Sequence, residues 1–109
     1  MILNSLKQIF QKTNRDLITA AKNGQIEVVR VLIDYQGADV HTRHELALRR
    51  AAQNGHTETV QLLLDRGADV HAWNDGALRL ATQNGYPETV RVLQEAAART
   101  AKPHPPTPV

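Results

Sequence analysis

Five histidines are the first residues here that could do chemistry: His41, His44, His56, His71 and His104. Imidazole ligates zinc and moves protons near neutral pH, so the question they raise is a metal site or an acid–base centre. His41 and His44 stand three apart, and His71 follows His41 after 30 residues. A zinc site needs several ligands in one shell, each oriented by a hydrogen-bonded neighbour. No acidic cluster converges on these histidines, and cysteine is absent, which removes thiolate ligands, thiol nucleophiles and disulfides together. Serine occurs once, at Ser5, without the strand–turn–helix context of a nucleophile elbow. Glu27, Glu58 and Glu88 recur at near-constant spacing, and Glu27 and Glu88 precede Arg30 and Arg91 by three residues. That is the spacing of solvated helix pairs, each contributing roughly 0.2–0.5 kcal/mol. With no Gly-rich phosphate loop either, the expectation is a non-enzyme without metal or cofactor.

The composition bounds the class. At 109 residues there is room for one domain, with 41% hydrophobic and 22% charged residues. The most apolar stretch, Val28 to Ile33, is interrupted by Arg30 and closed by Asp34, so no transmembrane helix is expected. Asn4, Ser5, Lys7 and Gln8 break up what would be the apolar run of a secretory signal, and a cytoplasmic protein is expected. The net charge of +2 is spread along the chain without a Lys/Arg block. Nucleic-acid binding is allowed by this balance but not indicated.

The elements that position these side chains emerge from self-comparison. Ala20-Ala21-Lys22-Asn23-Gly24 lines up with Ala51-Ala52-Gln53-Asn54-Gly55 and with Ala81-Thr82-Gln83-Asn84-Gly85, at spacings of 31 and 30. Gly37-Ala38-Asp39-Val40-His41 recurs as Gly67-Ala68-Asp69-Val70-His71. Each unit reads as two short helices. In the second unit the first helix covers about Glu45 to Asn54, with Leu48, Ala51 and Ala52 inward and Gly55 ending it. The second helix starts with Thr57 as N-cap and turns Val60, Leu63 and Leu64 inward. Pro87 suits the first turn of its counterpart in the third unit. One such unit cannot bury its apolar face alone, so the units must stack and the ends must be closed. Gln94 replaces Leu64 in the third unit, and the last helix runs on through Arg99 as a C-terminal cap.

At the other end Ile2, Leu3, Leu6, Ile9 and Phe10 recur at helical spacing opposite Asn4, Lys7, Gln8 and Gln11. This predicts an extra amphipathic helix over 1–13, a break near Thr13-Asn14, and then the first unit. The helix is expected to cover the end of the stack, with dimerisation or partner docking as the alternative. The units span 14–42, 43–72 and 73–100. The segment 101–109, with two Pro-x-x-Pro spacings at 103/106 and 105/108, is expected to be disordered or extended.

Asn54 through Val70 resembles the inter-helix loop, second helix and turn of the ankyrin repeat nearly position for position, and Arg15 to Gly24 resembles that family's N-terminal cap repeat. The resemblance covers about residues 14 to 100 and implies an all-α, ankyrin-type helix-turn-helix solenoid of three repeats. Two departures stand out. The family's Thr-Pro-Leu-His at the start of the first helix is here Leu46-Ala47-Leu48-Arg49 and Gly76-Ala77-Leu78-Arg79, so the hydrogen bond that pins that helix start in the family is lost. The connection from Val70 to Leu78 is about three residues short, so the protruding finger shrinks to a tight loop. Short repeats of this kind resemble those of giant amoebal viruses and some bacteria. His41 and His71 stand where the family has a turn asparagine, and His56 matches its Gly-His loop; all three are expected to be structural.

The resemblance also implies a function: a protein-interaction module, in its finer form a stand-alone inhibitor or adaptor occupying a partner's surface. The family's concave face, carried onto this chain, comprises Thr42, Arg43, His44, Arg50, Gln53 and Asn54. In the next unit it comprises Ala72, Trp73, Asn74, Gln83 and Asn84, with Lys22 and Asn23 from the first. Trp73 is the residue of choice, being the single tryptophan and replaced by Arg43 one unit earlier; Trp and Arg dominate interface energetics. The alternative for Trp73 is that it folds over the neighbouring loop and shields it. The alternatives are nucleic-acid binding through Lys22, Arg43, Arg49, Arg50 and Arg79, and self-assembly as a homodimer through the N-terminal helix.

Overall fold

The structure, a computed structural model, describes residues 2–100. Its elements are α1 (Ile2–Lys22), α2 (Ile26–Gln36), α3 (Thr42–Gln53), α4 (Thr57–Asp65), α5 (Ala72–Gln83) and α6 (Pro87–Thr100). They pair as α1/α2, α3/α4 and α5/α6, and each pair packs on the next, α1 on α3 on α5 and α2 on α4 on α6. Two layers of helices result, in a body of 58 × 33 × 21 Å. The Pro-rich stretch foreseen at 101–109 lies outside the described residues.

Each hairpin turns on an Asn-Gly pair. Gly24, Gly55 and Gly85 adopt φ of 70°, 73° and 76°, a left-handed geometry that glycine takes without a Cβ penalty. In the second unit His56 N–H returns to the Ala51 carbonyl at 2.9 Å and Gly55 N–H to Ala52 at 3.1 Å. These bonds satisfy carbonyls that the helix end leaves open. Stacked imidazole and aromatic rings also require two of these glycines, Gly24 and Gly55. The His56 ring lies over Gly24, where a Cβ would stand 2.5 Å from Nδ1, and the Tyr86 ring covers Gly55 in the same way. Asn54 Nδ2 donates to the Lys22 carbonyl at 2.9 Å and Asn84 Nδ2 to the Gln53 carbonyl at 2.8 Å, so each unit is hydrogen-bonded to its predecessor.

The core is built on small residues between the first helices and branched ones behind them. Ala20, Ala21, Ala51, Ala52 and Ala81 are buried with Leu17 and Leu48, and Val29, Val60, Leu63 and Leu93 fill the second layer. Leu62 and not Leu64 joins them; Leu64 is half-buried. Position 62 faces the preceding unit, a direction that the periodicity of one isolated helix does not reveal. Thr57 is also placed differently from expectation. It is the first residue of α4, with His56 before it, and its hydroxyl meets that of buried Thr89 at 2.7 Å across the unit boundary. Arg66 clasps Asp34 of the preceding unit through two contacts of 2.8 and 2.9 Å, which holds the Asp34 carboxyl below its ordinary range.

The expected break near Thr13-Asn14 does not occur: α1 is continuous from Ile2 to Lys22. Both residues spend their polar groups without interrupting the helix. Thr13 Oγ1 donates to the Ile9 carbonyl at 2.9 Å, a back-bond a helix tolerates. Asn14 Oδ1 accepts from Asp39 N–H at 2.8 Å, a partner 25 residues away that exists only in the folded stack. The segment expected to cover the end of the stack leaves three apolar side chains open. Leu6, Ile9 and Phe10 are 45%, 58% and 52% exposed.

Candidate partner-binding face

The finger of each unit is reduced to a left-handed turn. Arg43, His44 and Glu45 take φ of 54°, 55° and 62°, and Trp73, Asn74 and Asp75 take 60°, 53° and 58°. Three successive non-glycine residues in this region cost about 1–2 kcal/mol each relative to ordinary backbone. Arg49 and Arg79 supply the compensation. Arg49 Nη2 and Nε donate to the Arg43 and His44 carbonyls at 2.9 and 3.1 Å, and Arg79 does the same to Trp73 and Asn74 at 2.8 and 2.9 Å. The planar guanidinium presents two N–H groups in a fixed fork, which suits a pair of adjacent carbonyls. The helix start left unpinned by the missing Thr-to-His bond is therefore pinned by arginine.

A second polar cluster ties the turn to the next unit. Glu45 is 4% exposed; its Oε2 meets His41 Nδ1 at 2.5 Å and accepts Asp69 N–H at 2.7 Å. The carboxylate beside it raises His41 above its ordinary value, with burial opposing and Asp39 and Asp69 adding to the rise. His71 Nδ1 meets Asp75 Oδ1 at 2.6 Å in the more exposed third unit. Both histidines bond a carboxylate four residues on, while the turn backbone, which the resemblance assigned to this position, is held by Asp39 and Asp69. His56 Nε2 lies 2.9 Å from the Lys22 carbonyl.

Trp73 stands at the tip of the third turn, 57% exposed. The Arg49 guanidinium lies 4.9 Å from its ring centroid, and the His44 ring meets it edge-on at 6.0 Å and 65°. Burial, and then the charge of Arg50, pulls Arg49 below its ordinary pKa. The cluster depends on Gly76, where a Cβ would fall 2.9 Å from Arg49 Cδ and 3.2 Å from Trp73 Cβ. Trp73 thus leans on the neighbouring loop and still presents more than half of its surface.

The other sequence-nominated positions divide. Arg43, His44 and Asn74 share the exposed loop row with Trp73, and Gln83 is exposed at the end of α5. Arg50 Nη1 bonds Gln53 Oε1 at 2.8 Å on the half-buried face of α3. Asn54 and Asn84 are committed through their side chains to the carbonyls of the preceding unit, so their amides serve the stack. Arg49 was overlooked for this face, as was Glu45. A signal existed for both: an arginine recurs at 49 and 79, and a polar residue recurs at 14, 45 and 75. Among the described residues no group of three His, Cys, Asp or Glu side chains could hold a metal ion, and no helix is long and apolar enough to cross a membrane.

Helix pairs of about 30 residues, repeated three times and hydrogen-bonded unit to unit, define a helical repeat solenoid. The chain matches the ankyrin repeats, in three copies, over residues 17–103 and belongs to that family. It is 42% identical over 52 residues to an ankyrin repeat protein of Acanthamoeba polyphaga mimivirus, covering 47% of this chain and 43% of that protein. It is 49% identical over 55 residues to the ankyrin repeat and KH domain-containing protein mask of Drosophila melanogaster, covering 46% of this chain and 1% of the relative. The match thus spans less than half of either relative. Ankyrin repeats are protein-interaction modules.

Proposed function

We propose that the loop row formed by residues 42–45 and 72–75 is the face that holds a protein partner, as an inhibitor or adaptor without catalysis of its own. The observation that carries this reading is Trp73. A large aromatic ring stays exposed while its base is fixed by Arg49, His44 and a clamped left-handed turn. An anchor already held in position loses little conformational freedom on binding, which is how such a side chain contributes most affinity. Arg43 and Asn74 flank it and supply charge and hydrogen bonds, and Gln83 extends the face along α5. Nucleic-acid binding has less support, because Arg49 and Arg79 direct their guanidinium groups at loop carbonyls and Arg50 bonds Gln53. The test is affinity purification with the wild type, Trp73→Ala and Arg43→Ala, followed by titration of the recovered partner. Trp73→Ala should weaken binding by about 30-fold or more, the size of a hot-spot loss of about 2 kcal/mol. Retention of the full partner set at unchanged affinity in both variants would remove this face from consideration.

A further inference from the structure

Most arginines of this chain are spent within it. Arg30 pairs with Glu27, Arg66 with Asp34, and Arg91 with Glu88 and Glu95. Arg49 and Arg79 donate to loop carbonyls, and Arg50 donates to Gln53. Among the described residues this leaves the guanidinium groups of Arg15, Arg43 and Arg99 without a bonded partner. Arg99 shares its hollow, under Leu64 and Val70, with Asp65. Arg15 and Arg43 share a different one, and no acid lines it.

That hollow, of about 330 Å³, opens between α1 and the turn of the second unit. Its walls are Gln11, Asn14, Arg15, Thr42 and Arg43. Asn14 has its side-chain oxygen committed to Asp39 N–H at 2.8 Å, so the group it has left to offer is its amide NH2. Thr42 adds a hydroxyl and Gln11 a second amide. The carboxylates of the surrounding segments are engaged elsewhere. Asp16 holds Lys12 at 2.8 Å, Asp39 accepts His41 N–H at 2.8 Å, and buried Glu45 is taken by His41 and Asp69 N–H. The hollow is therefore rich in donors and positive charge, and the chain supplies no anion to it.

Both arginines stand on fixed backbone. Arg15 lies on the continuous helix α1, and Arg43 is held at φ 54° with its carbonyl bonded to Arg49 Nη2 at 2.9 Å. A guanidinium offers two N–H groups in the plane and spacing that a carboxylate accepts. Trp73 completes the pattern. Because α1, α3 and α5 pack in series, its turn stands one helix spacing beyond that of Arg43, about 8–10 Å. An extended peptide covers that distance in about three residues at roughly 3.3 Å each. We propose, resting on the reading of the loop row as the partner face, that this hollow receives an aspartate or glutamate of the partner, about three residues from an apolar side chain that packs on Trp73. The partner is then recognised through an acidic, extended segment. A nucleic-acid backbone fits less well, since it needs cations in a track, and beyond Arg43 the next arginines, Arg49 and Arg79, are bonded to carbonyls.

The test selects a random peptide library on the full chain and measures the recovered peptides by fluorescence anisotropy. The wild type should return peptides with Asp or Glu about three residues from an aromatic or aliphatic one. Arg15→Glu and Arg43→Glu should each weaken their binding by about 30-fold or more, with the helical circular dichroism unchanged. Lysine in place of the peptide's acid should restore binding to Arg15→Glu. Trp73→Ala should weaken the same peptides and leave their acid preference intact. Arg15 lies outside the loop row, which separates the two readings. Peptides that depend on Trp73 but carry no acid, or that bind Arg15→Glu at full strength, would overturn the carboxylate site and leave the partner face standing. Peptides indifferent to Trp73 and to both arginines would overturn both. A library yielding no peptide tighter than roughly 0.1 mM would also overturn the site. Binding of a single-stranded oligothymidylate, lost in Arg15→Glu and Arg43→Glu, with no peptide recovered, would replace it with a nucleic-acid contact.

Discussion

Gly55 and Gly85 offer a controlled measurement of what holds one repeat on the next. Both follow asparagine at the end of a first helix, and their φ values of 73° and 76° are nearly the same. They differ in what lies above them. The Tyr86 ring covers Gly55, whereas a Cβ at Gly85 would meet nothing within 4 Å. Alanine at either position incurs the left-handed backbone penalty of about 1–2 kcal/mol. At Gly55 the new methyl group must also displace the Tyr86 ring, which is 37% exposed and so has most of its surface to lose. Surrendering that contact costs about 1–3 kcal/mol more. Gly55→Ala should therefore lose about 2–5 kcal/mol and Gly85→Ala about 1–2 kcal/mol. Urea unfolding followed by circular dichroism at 222 nm measures both. The Tyr86→Ala background isolates the ring: there the cost of Gly55→Ala should fall to that of Gly85→Ala, giving an interaction energy of about 1 kcal/mol or more in the double-mutant cycle. Equal losses for the two single variants, or strict additivity with Tyr86→Ala, would refute the claim that ring-on-glycine stacking couples the units.

Other consequences can be measured on the same protein. Leu63, fully buried in α4, should cost about 2–5 kcal/mol when truncated to alanine, read from the same urea transitions. Arg49→Lys keeps the charge but loses the fork that holds two carbonyls, so it should lower stability by about 1–2 kcal/mol and shift the Trp73 fluorescence emission; an unchanged emission would remove the arginine clamp. The raised pKa of His41 means that its bond to Glu45 contributes fully below pH 6.5, the ordinary histidine value, and that the contribution fades as pH rises through the higher folded value. Thermal melts should therefore show a stability that declines across that window in the wild type and a smaller decline in His41→Asn. Gly76→Ala should displace Arg49 from beneath Trp73 and be visible as a change in tryptophan emission without loss of helix content.

Residues that recur from unit to unit serve the stack, and this distinction was legible before any coordinates. Asn54 and Asn84 recur and bind the preceding unit; Arg43 and Trp73 differ and stay exposed. Placing both asparagines on the partner face overlooked that difference. The choice of Leu64 over Leu62 had a comparable remedy. Position 62 is apolar in all three units, as Val31, Leu62 and Val92, whereas position 64 becomes Gln94. What the residues alone did not disclose was tertiary. Asn14 reads as a helix breaker until Asp39 N–H arrives to use its side chain, and Glu45 reads as a solvated first-turn acid until Asp69 closes over it. The left-handed turn was equally hidden, since Arg43-His44-Glu45 contains no glycine to announce positive φ.

That turn bears directly on how a short repeat can hold a partner. A long finger reaches its target by protruding, and its tip is free to move. Here the tip is drawn back until a guanidinium from the following helix holds two of its carbonyls, and the backbone is fixed in a conformation it would not adopt alone. The same Arg49 carries the Trp73 ring of the next turn on its other side. One side chain thus links the shape of one loop to the position of the next, and the two tips behave as a single surface. On the partner face proposed above, this makes a preformed array instead of two independent loops, which would keep the ordering cost of binding small. Changing Arg49 should consequently weaken partner binding even where the partner never touches it, while Arg79, whose guanidinium lies over no aromatic ring among the described residues, should matter less.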